Sequence, residues 1–551
     1  MKQKRVDIYD TTLRDGAQGM GVSFSTDGKL SILRKLDELG VDYVEGGYPG
    51  SSRRDMELFA QARKLKLSHS TLVAFGSTRR AGMRVKADDN VRKLIETGTP
   101  VVTVFGKAWR LHVTDVLRTS DRENLAMIAD TVSYLKEHGR RVFFDAEHFY
   151  DGYKDDPSFA MQAVMSAIGA GCDLVVLCDT NGGSLPEEVC NITREVVRAV
   201  RMPVGIHAHN DGGMAAANSV EAVLAGATQV QGTVNGYGER CGNANLCTLI
   251  PTLVLKMGRK CMKANAMRGM KGLSELVDEM ANLRRDERQP YVGKNAFAHK
   301  GGMHVNAVGK NPRTFEHVPP ESVGNDRSVL LSEASGQSSV LLKAIEVGVD
   351  GLSKSSPELR DVLRALKEME SRGYAFEAAE ASFRMLVQKV LKKHKPFFKL
   401  EGFRVIVEKR GKDEPCISEA TIKVRVNKEV EQTVGEGRGP VDALNKALRM
   451  ALTKFYPQIS DVSLKDFRVR IMDPEEATGA TTRVLMESSD GHATWGTVGV
   501  SHNIIEASWE ALVDSLEYKL FRDEEDRRRA GRKTARGAKT GRARGRGRAR
   551  R

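Results

Sequence analysis

The stretch Asp10-Thr11-Thr12-Leu13-Arg14-Asp15-Gly16-Ala17-Gln18 follows an apolar run over 6–9 and sets an arginine beside a carboxylate where a strand ends. Taken alone, an adjacent Arg/Asp pair is an ordinary surface ion pair, worth at most about 1 kcal/mol. Two further stretches give it company. His207-Ala208-His209-Asn210-Asp211 ends another apolar strand, and Gly242-Asn243-Ala244 opens a later helix. One acid, two histidines and an amide form a ligand set for a single divalent metal, provided the fold brings them together.

Outward from that stretch, short Val-rich runs alternate with segments of helical period. Strands are expected at 6–10, 41–45, 71–75, 101–105, 141–145, 174–178, 203–207 and 229–234. Helices are expected over 27–39, 52–65, 88–97, 121–138, 157–170, 186–200, 213–225 and 243–257. Asp27, Ser52, Asp156-Pro157 and Leu185-Pro186 supply start signals. Eight strand-helix units within about 260 residues match the count and length of an α/β protein built as a (β/α)8 TIM barrel. A doubly wound open sheet is the rival, but nothing would stop it at eight strands. In the barrel, active sites gather at the carboxyl ends of the strands. Arg14, Asp15, Glu45, Glu147, Asp179, Thr180, His207, His209 and Asn243 all fall there. His207 and His209 are two apart on one strand and so point the same way.

Beyond the barrel (1–260) the rhythm changes. A helical linker subdomain is expected over 261–395, with helices at 273–285, 356–370 and 375–394, covering the active site. It includes an irregular loop, 291–306, that carries His299-Lys300-Gly301-Gly302-Met303-His304. Residues 396–520 read as an α+β regulatory domain with an internal ββα repeat: strands 421–426 and 431–434 before helix 441–455, then strands 483–487 and 494–500 before helix 505–520. Such repeats commonly pair with their copy in another subunit. The loop Gly435-Glu436-Gly437-Arg438-Gly439-Pro440 follows no βαβ unit, so it reads as a turn and not as a nucleotide cradle. A basic Arg/Gly-rich tail, 521–551, is expected to be disordered.

Charge bears on partners. The chain has 551 residues and net charge +14, of which residues 527–551 supply 13 cations and no acid, leaving +1 for the rest. The body therefore offers no charge argument for nucleic acid, and only weak contact through the tail is expected. Seven cysteines form no C-x-x-C pair, which suits reduced thiols. No run is long and apolar enough to span a bilayer, so a cytoplasmic protein is expected.

Asp10-Thr11-Thr12-Leu13-Arg14-Asp15-Gly16-Ala17-Gln18, His207-Ala208-His209-Asn210-Asp211 and Gly238-Glu239-Arg240-Cys241-Gly242-Asn243-Ala244 resemble the signatures of the acyl-CoA-condensing barrel enzymes, the isopropylmalate, homocitrate and citramalate synthases. Gly439-Pro440-Val441-Asp442-Ala443 and Thr497-Val498-Gly499-Val500-Ser501 resemble their regulatory domain, so the likeness covers about 1–520. Phe144-Asp145-Ala146-Glu147-His148-Phe149 and Phe297-Ala298-His299-Lys300-Gly301-Gly302-Met303-His304 are most similar to the citramalate branch.

The resemblance implies a transferase joining acetyl-CoA to pyruvate and hydrolysing the thioester, for isoleucine biosynthesis. The 2-oxo acids of isopropylmalate or homocitrate synthases are the nearer alternatives; a carbon–carbon lyase or a scaffold with an RNA-binding tail is more distant. It implies Asp15, His207, His209 and Asn243 as ligands of a divalent metal (Mn, Mg, Zn or Co). Arg14 would polarise the keto oxygen, Thr180 would hold the oxo-acid carboxylate, and Glu147 and His304 would move protons. A homodimer inhibited by isoleucine is also implied. Two departures are visible: Asn306 stands where several relatives carry an acid, and Cys241 replaces a commoner alanine.

Overall fold

Eight parallel strands close on themselves: β1 (Asp7–Asp10), β2 (Tyr43–Gly47), β3 (Thr71–Ser77), β4 (Val101–Lys107), β5 (Arg141–Glu147), β6 (Leu174–Asp179), β7 (Val204–Ala208) and β8 (Gln229–Gly232), with β8 paired back onto β1. The structure is a computed structural model that describes residues 4–546 apart from 263, 331–335, 350 and 410. The expected (β/α)8 barrel is therefore the architecture. Strands buried on both faces need apolar residues on both. Ile8, Val44, Val104, Phe144, Leu177 and Ile206 face the helices, whereas Tyr9, Tyr43, Val73, Phe143 and Val176 fill the interior.

Helix starts follow side-chain chemistry. Ser52 and Asp156 accept hydrogen bonds from Asp55 N and Phe159 N, and Pro157 and Pro186 open their helices. The first barrel helix, Thr26–Leu39, starts earlier than expected: Ser25 is its cap, and Asp27 lies in its first turn.

Two compact units divide the chain. One holds the barrel up to Phe297 together with Glu316–Arg327; the other holds Ala298–Phe315 and the chain from Ser328 onward. The segment expected as one linker, 261–395, is thus shared. Helix Met270–Met280 carries Met270, Leu273 and Val277 on one stripe, and these bury in the barrel's own core, as do Tyr291, Val292 and Phe297. The expected loop around His304 is partly helical: Gly302–Lys310 forms a helix just after β9 (Ala298–His299), a short strand that pairs with β10 (Ser328–Val329).

In the second unit each repeat has one strand more than expected. β11 (Lys399–Glu408), β12 (Ile417–Val426) and β13 (Glu429–Gly437) form one antiparallel sheet before helix Pro440–Thr453. β14 (Ser463–Ile471), β15 (Thr482–Ser489) and β16 (Thr494–Ser501) form the other before helix Ile504–Arg546. The repeat is therefore βββα. β11 and β14 are edge strands without a fully buried residue, so their apolar alternation is faint. Both bulge at matching places, Leu400/Gly402 and Leu464/Asp466, which marks them as copies.

The last helix does not stop at 520, as expected, but runs to Arg546. Arg, Ala and Lys are good helix formers, and a helix already nucleated in a folded core extends more readily than one starting alone. Leu512, Leu516 and Leu520 anchor its first half.

Candidate active site

The turn after β1 is built on Thr11, whose carbonyl accepts from Arg14 N (3.2 Å) and Gly16 N (3.0 Å). It drives both members of the pair inward: the Arg14 and Asp15 side chains are only 11% and 3% exposed, so this is no surface ion pair. Arg14 Nε donates to Glu45 Oε2 (2.6 Å), Nη1 donates to Asp15 Oδ2 (3.1 Å), and the guanidinium lies 3.8 Å from the centre of the Phe75 ring. Glu45 is fully buried and also accepts from Tyr9 Oη (2.6 Å) and Thr11 Oγ1. Burial works against the Arg14 charge, but Glu45 and Asp15 outweigh it and hold the group firmly protonated.

His207 lies within β7 and His209 just past its end. Their Nε2 atoms are 3.3 Å apart, and Asp15 Oδ2 stands 3.5 and 3.9 Å from them. Asn243 pairs with His209 backbone to backbone, and its amide nitrogen donates to Tyr237 O (3.2 Å). That close approach requires glycine at 238, where a Cβ would sit 2.1 Å from Asn243 Nδ2. Asp15, His207 and His209 offer ligand atoms within 4.8 Å of one another and form the only such His/Cys/Asp/Glu group among the described residues.

The electrostatics suit a cation. Burial pushes His207 down to about 3, helped by His209, and burial also lowers His209. Burial would raise Asp15, but Arg14 and the two histidines bring it to about 2. Neutral imidazoles with an ionised carboxylate form the protonation state that metal ligation needs. Asp15 Oδ1 and Asn243 Oδ1 are buried and lack a hydrogen-bond partner among the described residues. Such lone pairs are costly unless something binds them, so the residues present fit a divalent metal.

A cavity of about 250 Å³ opens beside this cluster, lined among others by Arg14, Phe75, Asp145, Glu147, Thr180 and His207. Glu147 ends β5 and pairs with Lys107. The Thr180 hydroxyl accepts from His148 N (2.9 Å), and its carbonyl accepts from Arg240 Nη2 (2.7 Å). Seven of the eight expected site residues are therefore in this unit. His304 belongs to the other compact unit, where it is exposed and stacks on Phe315 with ring centres 4.1 Å apart.

Sequence reasoning left several residues without a task. Glu45 stood among the strand-end polar groups, yet its grip on Arg14 is visible only in three dimensions. Asp145 was missed, although it lies two before Glu147 on β5 and so shares its face. Lys107 gave no signal beyond ordinary charge, and Arg240 stood inside the Gly238–Ala244 signature without a role of its own.

Three family models match successive stretches of the chain. Residues 5–271 match the family model described as HMGL-like, 291–373 match the homocitrate synthase post-HMGL domain-like model, and 377–520 match the LeuA allosteric (dimerisation) domain. An (R)-citramalate synthase of Geobacter sulfurreducens is 51% identical over 520 residues, covering 94% of this chain and 98% of that one. The chain belongs to the citramalate synthase family. An (R)-citramalate synthase of Aquifex aeolicus is 49% identical over 95% of this chain and 99% of its own. A 2-isopropylmalate synthase of Methanocaldococcus jannaschii, at 31% over 94% and 96%, stands further off. As a member of the citramalate synthase family, the chain is an acyl-CoA-condensing transferase.

Proposed function

We propose that the enzyme condenses acetyl-CoA with pyruvate and hydrolyses the resulting thioester, giving citramalate and free CoA. The observation that carries this reading is the Asp15/His207/His209 cluster with Arg14 on the edge of one cavity, in a chain 51% identical to an (R)-citramalate synthase. Asp15, His207, His209 and Asn243 would hold the divalent metal. When bound, the metal supplies Lewis-acid polarisation of a keto group and a template for its carboxylate.

Arg14 stays charged and, fixed by Glu45, offers its remaining N–H groups to the negative charge that develops on the keto oxygen. Thr180, positioned by His148 N, binds the oxo-acid carboxylate. Glu147, paired with Lys107, exchanges a proton with the reacting groups. His304 would supply the base that removes the proton from the acetyl methyl. Pyruvate is favoured over longer oxo acids by pocket volume, each methylene being worth about 1–3 kcal/mol.

The second unit is read as regulatory and dimer-forming. A pocket of about 350 Å³ lies between its helices and β14–β15, walled by Val441, Leu464, Met486 and Leu516, with Asp442 and Arg449 also lining it. An apolar floor with one carboxylate and one guanidinium suits a branched-chain amino acid, isoleucine in this reading. The LeuA (dimerisation) match supports a homodimer. The tail from Arg527 would make only weak, salt-dependent contact with nucleic acid. Among the described residues no helix is long and apolar enough to cross a membrane, and all seven cysteines are free, which supports a reducing, cytoplasmic setting.

A thiol-release assay with acetyl-CoA across 2-oxo acids tests the reading. Pyruvate should give the highest kcat/KM; a large preference for 2-oxoisovalerate or 2-oxoglutarate would overturn it.

A further inference from the structure

Asp10 takes no part in the reading above, yet it is fully buried at the end of β1 and no cation pairs with it among the described residues. Both carboxylate oxygens are committed to one neighbour: Oδ1 accepts from Thr12 N (3.0 Å) and Oδ2 accepts from Thr12 Oγ1 (2.7 Å). Thr12 Oγ1 in turn accepts from Val234 N (2.8 Å), across 222 residues of sequence and the seam where β8 meets β1.

What lies on each side of this bond is decisive. On the β1 side, Thr11, between Asp10 and Thr12, carries the turn that aims Arg14 and Asp15 inward. On the β8 side, Val234 starts the turn Val234–Gly236, and Gly236 O accepts from Asn243 N (3.0 Å). Asn235 in that turn has φ +62°, a left-handed conformation that asparagine tolerates better than most non-glycine residues. One carboxylate thus stands at the root of two loops that carry ligands from opposite ends of the barrel sequence.

We propose that Asp10, acting through the Thr12 hydroxyl, is a positioning residue that sets the spacing between Asp15 and Asn243 and so the affinity for the divalent metal. The inference rests on the metal reading of the cluster, not on which oxo acid is used. Supporting groups behind metal ligands typically change affinity by 10–100-fold when removed. Burial pushes Asp10 up to about 7, against the opposing hydrogen bonds from Thr12 and the Val234 backbone.

The test is calorimetric titration of Mn²⁺ alone into the metal-stripped, full-length enzyme, with no substrate present. Asp10→Asn, which reverses one hydrogen bond, and Thr12→Val, which keeps the shape and drops the hydroxyl, should each weaken Mn²⁺ binding about 10–100-fold. Thr12→Ser should keep wild-type affinity. The double variant Asp10→Asn/Thr12→Val should be no weaker than the worse single one, since both act along one path. Should Asp10→Asn fail to fold, the Val/Ser pair at position 12 decides alone. Wild-type affinity in Thr12→Val, or equal loss in Thr12→Ser, would overturn the proposal. Failure of wild-type enzyme to bind Mn²⁺ would instead overturn the metal reading on which it rests.

Discussion

The mouth of the barrel and the first sheet of the second unit are unfinished in opposite ways. At the barrel mouth the unmet groups are polar: Asp15 Oδ1 and Asn243 Oδ1 are buried without partners among the described residues. On the sheet β11–β12–β13 the unmet groups are apolar. Ala420, Ile422 and Val424 pack under helix Pro440–Thr453, but Ile406, Ile417 and Val434 point the other way and are exposed. The second sheet shows the contrast within the same unit, because Val498 and Val500 on β16 are covered by Phe383 and Val387 of helix Glu380–Val390. A cavity with orphaned lone pairs calls for a small charged ligand, whereas an exposed apolar face calls for protein, which the proposed homodimer would supply. The two regions divide chemistry from assembly.

Changes at the barrel mouth should break one region and spare the other. The largest effect is expected from His207→Ala: metal binding and product formation should fall below detection, while the oligomer seen by sedimentation stays unchanged. Next is Arg14→Lys, which keeps the charge but loses the planar fork gripping Glu45 and Asp15. Its kcat should drop about 100–1000-fold, the usual cost of removing one donor from a developing oxyanion. Full activity in that variant would remove Arg14 from the mechanism.

The converse change is Ile406→Asp with Val434→Asp, which places charge on the exposed sheet face without touching the core below it. Sedimentation should show a shift toward monomer, with Mn²⁺ affinity of the barrel unaltered. An unchanged oligomer would assign the interface elsewhere.

The smallest effect is expected in the pH dependence of stability without metal, because two buried groups oppose each other. His207 titrates near 3 in the fold against 6.5 when free, so the unfolded chain binds the extra proton between those values, and stability falls as pH drops through that window. Asp10, raised from 3.8 to about 7, binds its proton more tightly in the fold, so its contribution falls as pH rises from about 4 to 7. Denaturant melts of wild type and His207→Gln between pH 4 and 7 separate the two: the variant should gain stability relative to wild type as pH falls.

The same contrast explains what could be read in advance. Strands such as 101–107 announce themselves because both faces are buried and nearly every residue is apolar. Asp15, His207 and His209 were legible as a set because strand ends of a closed barrel must converge. The edge strands β11 and β14 were not, since an edge strand buries too little to need a pattern. Nor were the partners of Arg14 and Thr12, since Glu45 and Val234 are distant in sequence and no local rule links them. The segment at His304 looked irregular because of its Gly301-Gly302 pair, yet Gly301 is only the cap of a helix. The extension to Arg546 was hidden by composition, as an Arg/Gly-rich stretch alone has no core to fold against.

The central claim, that one metal at Asp15, His207 and His209 drives condensation on pyruvate, is tested most directly by stripping the enzyme of metal and adding Mn²⁺ stepwise. With pyruvate and methyl-labelled acetyl-CoA, NMR follows the product. Citramalate should appear in proportion to bound metal and level off at one equivalent per chain. Full citramalate formation by the metal-stripped enzyme, or saturation with metal and no citramalate, would contradict the account.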